Sequence, residues 1–369
     1  GLFLSGGIDS ASLAGVVAKV YQEKELHTFS IGFKDKSNLD ESGLAAVVAN
    51  KVGSTHHKMT LEAIDLKNNF DDFIQAIDQP SGDGLNSFFV SKIASDYVKV
   101  ALSGLGGDEI FLGYRYMKEL FRMHEMERVF GGKNLIKGLS YFSKFGLGRS
   151  FLYRSGLRFA QLAGKTDKEC YEFYRSLRDP GPVSLLFKIT SRTEFGLNNI
   201  VEPVLPFRTK LSVEDRLNRL SKAELSFYTT NMLLRDADAT SMASTIELRV
   251  PFLETKFVQD ALRIKSALKI KNGGVNKPLF VSALQDFIPK EVLSAKKKGF
   301  EMPVGNWLKA RFENELEDLK NINWLDSDVV EKELFEFKRD QRNYLKVWSL
   351  LVLKKWLEFY DVEIIQINL

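Results

Sequence analysis

A single cysteine, Cys170, stands among 369 residues. One thiol excludes an internal disulfide and any multi-cysteine metal cluster, and it fits a reducing, cytoplasmic setting. Long apolar runs are missing as well. No stretch of about 18 apolar residues occurs, which excludes a membrane-spanning helix of ordinary length. No signal peptide precedes the first strand. Hardly anything precedes it, so the chain reads as part of a longer protein. Charge of one sign is not in excess: 52 Lys and Arg against 48 Asp and Glu leave a net charge of +4. That balance does not by itself suggest a nucleic-acid partner. Internal repeats and low-complexity segments are absent too.

What remains has the make-up of a soluble globular enzyme, 44% hydrophobic and 27% charged. The length suits two domains or one large α/β domain with a helical annex. The chain is organised around its first ten residues. Leu2, Phe3 and Leu4 read as the end of a buried strand, and Ser5, Gly6 and Gly7 as a tight turn. Asp9 and Ser10 then open a helix whose apolar positions Leu13, Val16, Val17 and Val20 recur at helical spacing. Small residues between a strand and a helix N-terminus make an anion site, because backbone N–H groups point outward and the helix dipole favours negative charge. A carboxylate beside a phosphate makes sense if Mg2+ bridges the two, which gives Asp9 its role. No Gly-Lys-Ser/Thr follows, so this is not the Walker pattern. An ordinary Gly-rich connection between strand and helix would read the same over so few residues.

Further along, strand and helix signals alternate. Strands are expected over 26–33, 55–59 and 98–102, and helices over 39–52, 61–77, 87–98 and from Glu109 onward. Asp78 to Asn86 reads as a loop, by its Pro and two Gly. This alternation predicts an α/β fold with a doubly wound parallel sheet, whose ligands sit beyond the carboxyl ends of the strands. The turn from Ser103 to Asp108 repeats the logic of the first: strand, small residues, then the acid pair Asp108 and Glu109. Asp9 and Asp108 would then face one site, and two carboxylates with phosphate oxygens form a shell suited to Mg2+. Each aspartate could equally be a separate helix N-cap or first-turn acid.

From about Met123 strand signals fade and the chain reads as helices with loops, giving an expected division into a core over 1–125 and a mostly helical region over 126–369. Between Gly131 and Thr166 there is no acidic residue, while seven basic ones (Lys133, Lys137, Lys144, Arg149, Arg154, Arg158 and Lys165) alternate with aromatics. A helical hairpin with a solvated basic face explains this, and an acidic partner or membrane surface is the other reading. The segment Leu234 to Glu254 packs Arg235, Asp236, Asp238, Glu247 and Arg249 among small residues before Pro251. That density suggests a paired network beside a site, with Arg249 as a catalytic candidate, or a helix of alternating surface charges.

Five stretches carry a resemblance. SGGIDSAS at Ser5, LHTFSIGF at Leu26, LSGLGGDEIFLGY at Leu102, RDADATSMASTIELRVPFLE at Arg235 and KKKGFEMPVGNWL at Lys296 stand in order over residues 1 to about 310. They resemble the synthetase domain of the glutamine-dependent asparagine synthetase family, and the first resembles the pyrophosphate loop of ATP pyrophosphatases. The resemblance implies an ATP-dependent, amide-forming ligase. It adenylates a carboxylate, aspartate in the name-giving enzyme, releases pyrophosphate, and lets ammonia displace AMP.

Carried onto this chain, the resemblance places Ser5, Gly6, Gly7 and Ser10 around pyrophosphate, Asp9 and Asp108 on Mg2+, and the backbone at Ile31 with Ser103 and Gly104 against adenosine. Residues from about 231 to 300 return to the site. Lys297, three residues before Phe300, would reach the α-phosphate, where a lysine stabilises a crowded phosphoryl transition state. The amino-terminal glutaminase domain is absent, so ammonia would come from glutamine only in a full-length parent. A homodimer is left open.

The chain departs from the family at Leu105, where asparagine synthetases carry Glu. That Glu is tied to amidation, and leucine can neither hydrogen-bond nor take a proton. Glu109 and Tyr114 are the candidates to compensate. The departure opens a second reading: a related amidotransferase, or a cyclase resembling β-lactam synthetase, acting on a different carboxylate. A third is a module that binds ATP·Mg2+ without turnover. Nucleic-acid thiolation needs more cysteines than this chain has.

Overall fold

The computed structural model describes residues 1–21, 25–34, 39–130, 170–171, 175, 213–271, 274–295 and 301–362. The basic segment from Gly131 to Thr166 lies outside these residues. Five parallel strands form the sheet: β1 (Leu2–Phe3), β2 (His27–Phe33), β3 (Thr55–Leu61), β4 (Val100–Leu102) and β5 (Glu247–Arg249), in the order β3-β2-β1-β4-β5. Leu2 pairs with Thr28 on one side and Leu102 on the other. The chain thus winds outward from β1 in one direction and resumes at β4 in the other. A doubly wound sheet has its crevice at such a reversal, beyond the carboxyl ends of the two central strands. The glycine-rich turns after β1 and β4 both emerge there.

Period-two alternation divides the core between the two faces of the sheet. Phe29, Ile31 and Phe33 of β2 join a cluster with Phe73, Phe89, Trp307, Trp348 and Leu351. Leu2 and Leu4 turn the other way, onto Ala11, Ala14, Val48 and Ala49, and onto Phe252, Phe280 and Val292 from the carboxyl-terminal half. The two clusters show residues from both ends of the chain packed on one sheet. A third cluster, with Leu112, Met117, Leu120, Leu217 and Leu220, encloses the Cys170 thiol. Among the described residues no helix is long and apolar enough to cross a membrane.

The amino-terminal helices are α1 (Ile8–Val20), α2 (Ser42–Val52), α3 (Ala63–Asn68), α4 (Phe70–Ala76), α5 (Leu85–Ala94), α6 (Gly107–Ile110) and α7 (Arg115–Phe130). Three local readings need correction. The single helix expected over 61–77 is two, α3 and α4, meeting at Asn69, whose amide bonds back to the Asp65 carbonyl at 2.8 Å. The helix expected to run on from Glu109 stops after one turn, because Leu112 adopts a left-handed backbone (φ +57°) before Gly113. And strand signals do not end in the first half: β5 follows the helix Arg235–Ala243 and supplies the sheet's last edge.

Candidate active site

The first turn is held by its own hydroxyls. The Ser5 and Ser10 Oγ atoms lie 3.2 Å apart, and Ser5 Oγ accepts from the Gly7 N–H at 3.3 Å. Gly6 (φ +77°) has no room for a side chain, since a Cβ there would meet the Glu41 carbonyl at 2.8 Å. The second turn docks directly on the first. A Cβ on Gly104 would stand 2.9 Å from the Ser10 nitrogen, and one on Gly107 would run into the Asp9 carboxylate. Glycine is required at both because two backbones meet there. The two turns converge on one point.

That point is occupied by a lysine. Lys277 Nζ lies 2.5 Å from Asp9 and 2.6 Å from Asp108. The lysine side chain is only 1% exposed, against 19% and 23% for its partners. Burial alone would push its pKa down, but the Asp108 and Asp9 carboxylates outweigh it and hold the ammonium at about 12. Nothing local in the sequence marked Lys277: its partner Asp9 is 268 positions away. The single hint is Pro278 after it, a residue suited to the first helical position.

Asp9 and Asp108 also fit a divalent cation. One cationic atom already reaches both carboxylates, so a hard ion can too. Among the described residues no third His, Cys, Asp or Glu joins them. Mg2+ takes one or two carboxylates and completes its shell from phosphates and water.

Around this centre opens a cleft of about 760 Å3, within the usual range for small-molecule sites. Ser5, Gly6, Gly7, Asp9, Ser10, Ile31, Ser103, Gly104, Asp108 and Glu109 all line it, and so does Leu105. One wall is formed by β2 and α2 through Phe29, Ile31 and Leu44. The other carries Asp83, Asn86, Tyr114, Lys118 and Tyr228. Tyr228 reaches the cleft from a stretch of π-helix, Leu225–Leu234, a geometry that recurs at functional sites. Its hydroxyl donates to Asp83 at 3.1 Å, while the Arg175 guanidinium stacks 3.7 Å over its ring.

Glu109 is 2% exposed and accepts a hydrogen bond from the Tyr114 hydroxyl at 2.6 Å. Burial pushes its pKa up to about 7; the Tyr114 bond opposes the rise and the Asp108 charge adds to it. Tyr114 is itself pushed well above the ordinary phenol range by burial and by Glu109. Glu109 can therefore take up or release a proton near neutrality at the cleft wall, while Tyr114 keeps its own.

One candidate residue falls elsewhere. Arg249 sits on the edge strand β5 with its side chain 61% exposed, paired to Glu247 at 2.7 Å, and is not among the residues lining the cleft. Its neighbours explain the charge density that drew attention to it. Arg235 bonds Asp236 at 2.8 Å, and Asp236 accepts from Ser81, so the network fastens the loop before α5 to the helix Arg235–Ala243. Lys297 lies outside the described residues; Ala295, two positions before it, lines the cleft.

Residues 1–358 match the family described as asparagine synthase. The chain is similar to asparagine synthetase [glutamine-hydrolyzing] 1 of Bacillus subtilis, 28% identical over 367 residues, covering 96% of this chain and 55% of that protein. A putative asparagine synthetase [glutamine-hydrolyzing] of Mycobacterium tuberculosis is 28% identical over 317 residues, covering 84% of this chain and 46% of its own length. The amidase chyE of Penicillium rubens is 22% identical over 337 residues, 83% of this chain and 49% of that protein. The chain spans about half the length of these relatives.

Proposed function

The chain belongs to the asparagine synthase family, and from that premise we propose that it activates a carboxylate with ATP and converts it to an amide. A carboxylate oxygen of the acceptor attacks the α-phosphorus, the bond to the β-phosphate oxygen breaks, and pyrophosphate leaves. An amine, ammonia in the simplest case, then attacks the acyl carbon and AMP departs. Ser5, Gly6, Gly7 and Ser10 hold the departing pyrophosphate. Ile31, Ser103 and Gly104 hold the nucleoside. Asp9 and Asp108 hold Mg2+, which when bound neutralises charge on the phosphate oxygens. Lys297 supplies positive charge at the α-phosphate, a role in keeping with its standing two residues after the cleft-lining Ala295 in the sequence.

The observation that carries this reading is the convergence of the two glycine-rich turns at the reversal of the sheet, with Asp9 and Asp108 meeting on one cationic atom. Such a site works mainly by positioning and by stabilising developing charge. Glu109 takes the proton that the attacking amine must lose, and its raised pKa suits that task near neutrality. Arg249 has no part in the proposal.

Aspartate is the acceptor by family likeness. Leu105 on the cleft wall favours a second reading, a different carboxylate or a different amine, since the residue tied to amidation in asparagine synthetases is missing. Pyrophosphate release, measured with ATP, Mg2+ and free ammonia against a panel of carboxylic acids, decides between them. Release with aspartate supports the first reading. Release with another acid and not with aspartate supports the second. Nucleotide binding with no release for any acid sinks both.

A further inference from the structure

Lys277 stands where a divalent ion would have to stand, and the fold has taken trouble to put it there. Its ammonium is 2.5 Å from Asp9 and 2.6 Å from Asp108. Its backbone is left-handed (φ +53°), a conformation that favours glycine and strains a lysine. The same residue opens the helix Pro278–Leu284, where its carbonyl accepts from the Val281 N–H at 2.9 Å. The preceding Asn276 is pinned to the Gly113 carbonyl at 3.1 Å. Gly113 in turn leaves a passage for the lysine stem: a Cβ there would lie 2.5 Å from Lys277 Cε. These contacts aim a buried cation at two carboxylates from opposite ends of the chain.

We propose that Lys277 is the resident cation of this seat, and that it keeps a divalent ion out until nucleotide phosphates arrive to receive its ammonium. The inference rests on the reading of Asp9 and Asp108 as the Mg2+ ligands. Two unit-positive or stronger centres cannot share one pair of carboxylates at hydrogen-bond range without strong mutual repulsion. The lysine cannot simply leave, because a buried ammonium needs acceptors. Phosphate oxygens supply them, and its three N–H donors can shift from carboxylate to phosphate as the ion enters. Metal and nucleotide then bind together or not at all, and the lysine's charge moves onto the group that leaves.

The test uses Mn2+ as the probe, with bound and free ion distinguished by electron paramagnetic resonance. The wild-type chain alone should leave Mn2+ free, and adding α,β-methylene-ATP should give a protein-bound Mn2+ signal beyond that of the nucleotide without protein. Lys277→Met, a chain of similar length without charge, should bind Mn2+ without nucleotide at least about tenfold more tightly than the wild type does. Asp108→Asn in that background should abolish the gain. Lys277→Gln, whose amide still donates to a carboxylate, replaces the Met variant if the latter does not fold. Nucleotide-free wild type that binds Mn2+ as tightly as the nucleotide complex overturns the proposal, and so does a Lys277 variant with no gain. Mn2+ that stays free even with nucleotide bound overturns the metal reading beneath it as well.

Discussion

Asp108 and Glu109 are neighbours in the chain, line one cleft and meet opposite surroundings in it. Asp108 lies 2.6 Å from a buried ammonium and keeps 23% of its side-chain surface. Glu109 is 2% exposed, accepts a hydrogen bond from the Tyr114 phenol, and its pKa climbs to about 7. Successive residues on a helical turn point about 100° apart, so one peptide step carries the chain from an ion-paired pocket to a dry one. Two neighbouring acids in such different surroundings can give one site both an ion-paired holder and a proton carrier. In the proposed reaction the phosphates are met by fixed charge and amide formation by a mobile proton.

The sharpest way to break this contrast is to spoil the ion-paired end. Gly113 is where it is vulnerable, because a Cβ there would collide with the Asp108 carboxylate and stand 2.5 Å from Lys277 Cε. Gly113→Ala should cut pyrophosphate release by about a hundredfold or more, in line with losing a preorganised electrostatic group. Overpacking should also lower the melting temperature. A Gly113→Ala protein with undiminished release would mean that the carboxylate–lysine geometry does not matter to adenylation.

The proton-carrying end should fail differently. Glu109→Gln keeps an acceptor for Tyr114 but cannot take a proton. Amide formation should fall by about a hundredfold, while ATP–pyrophosphate exchange with the acceptor acid stays within a few-fold. In the wild type the amide-forming rate should rise with pH through about 7, as Glu109 gives up its proton and becomes a base. In the variant that limb should be flat once the rate is expressed per unprotonated amine. Stability carries the same signature with a definite sign. The folded-state pKa lies above the ordinary 4.5, so the contribution of Glu109 is full below 4.5 and is lost as pH rises through about 7. Equal loss of exchange and amide formation in Glu109→Gln would erase the division of labour between the two ends.

How far these features were legible follows from the range of the contacts that make them. The strands β1 and β4 announce themselves as short apolar runs before small-residue turns, β2 as an alternating, β-rich run, and the two turns as small residues before an acid, because strand burial and helix initiation are local. The wound sheet and its crevice follow from that alternation. The edge strand β5 does not read as a strand: Glu247, Leu248 and Arg249 are two charges about one leucine, and only pairing to β4 makes them extended. The break at Leu112 was hidden because leucine is an unusual residue for a left-handed backbone. Lys277 was invisible for the strongest reason, that its meaning lies in Asp9, 268 residues earlier, and no periodicity spans that distance.

Arg249 gives the smallest expected effect and the most direct check on where the cleft ends. Read along the sequence, it belonged to a dense run of charge beside a proline and looked like part of a site. In three dimensions its backbone does the structural work, the Arg249 carbonyl accepting from the Ser103 N–H at 2.9 Å where the second glycine-rich turn begins. Its side chain is 61% exposed and, among the described residues, pairs with exposed Glu247. Exposed pairs of this kind contribute little, because water and salt screen them and two long side chains must be ordered to make them. Arg249→Ala preserves the backbone bond and removes the charge. It should therefore leave pyrophosphate release within about twofold of the wild type and the melting temperature unchanged. A loss approaching that of Gly113→Ala would instead extend the ion-paired end across β4 to the edge of the sheet, and the acid pair at 108 and 109 would no longer mark the boundary between the two chemistries.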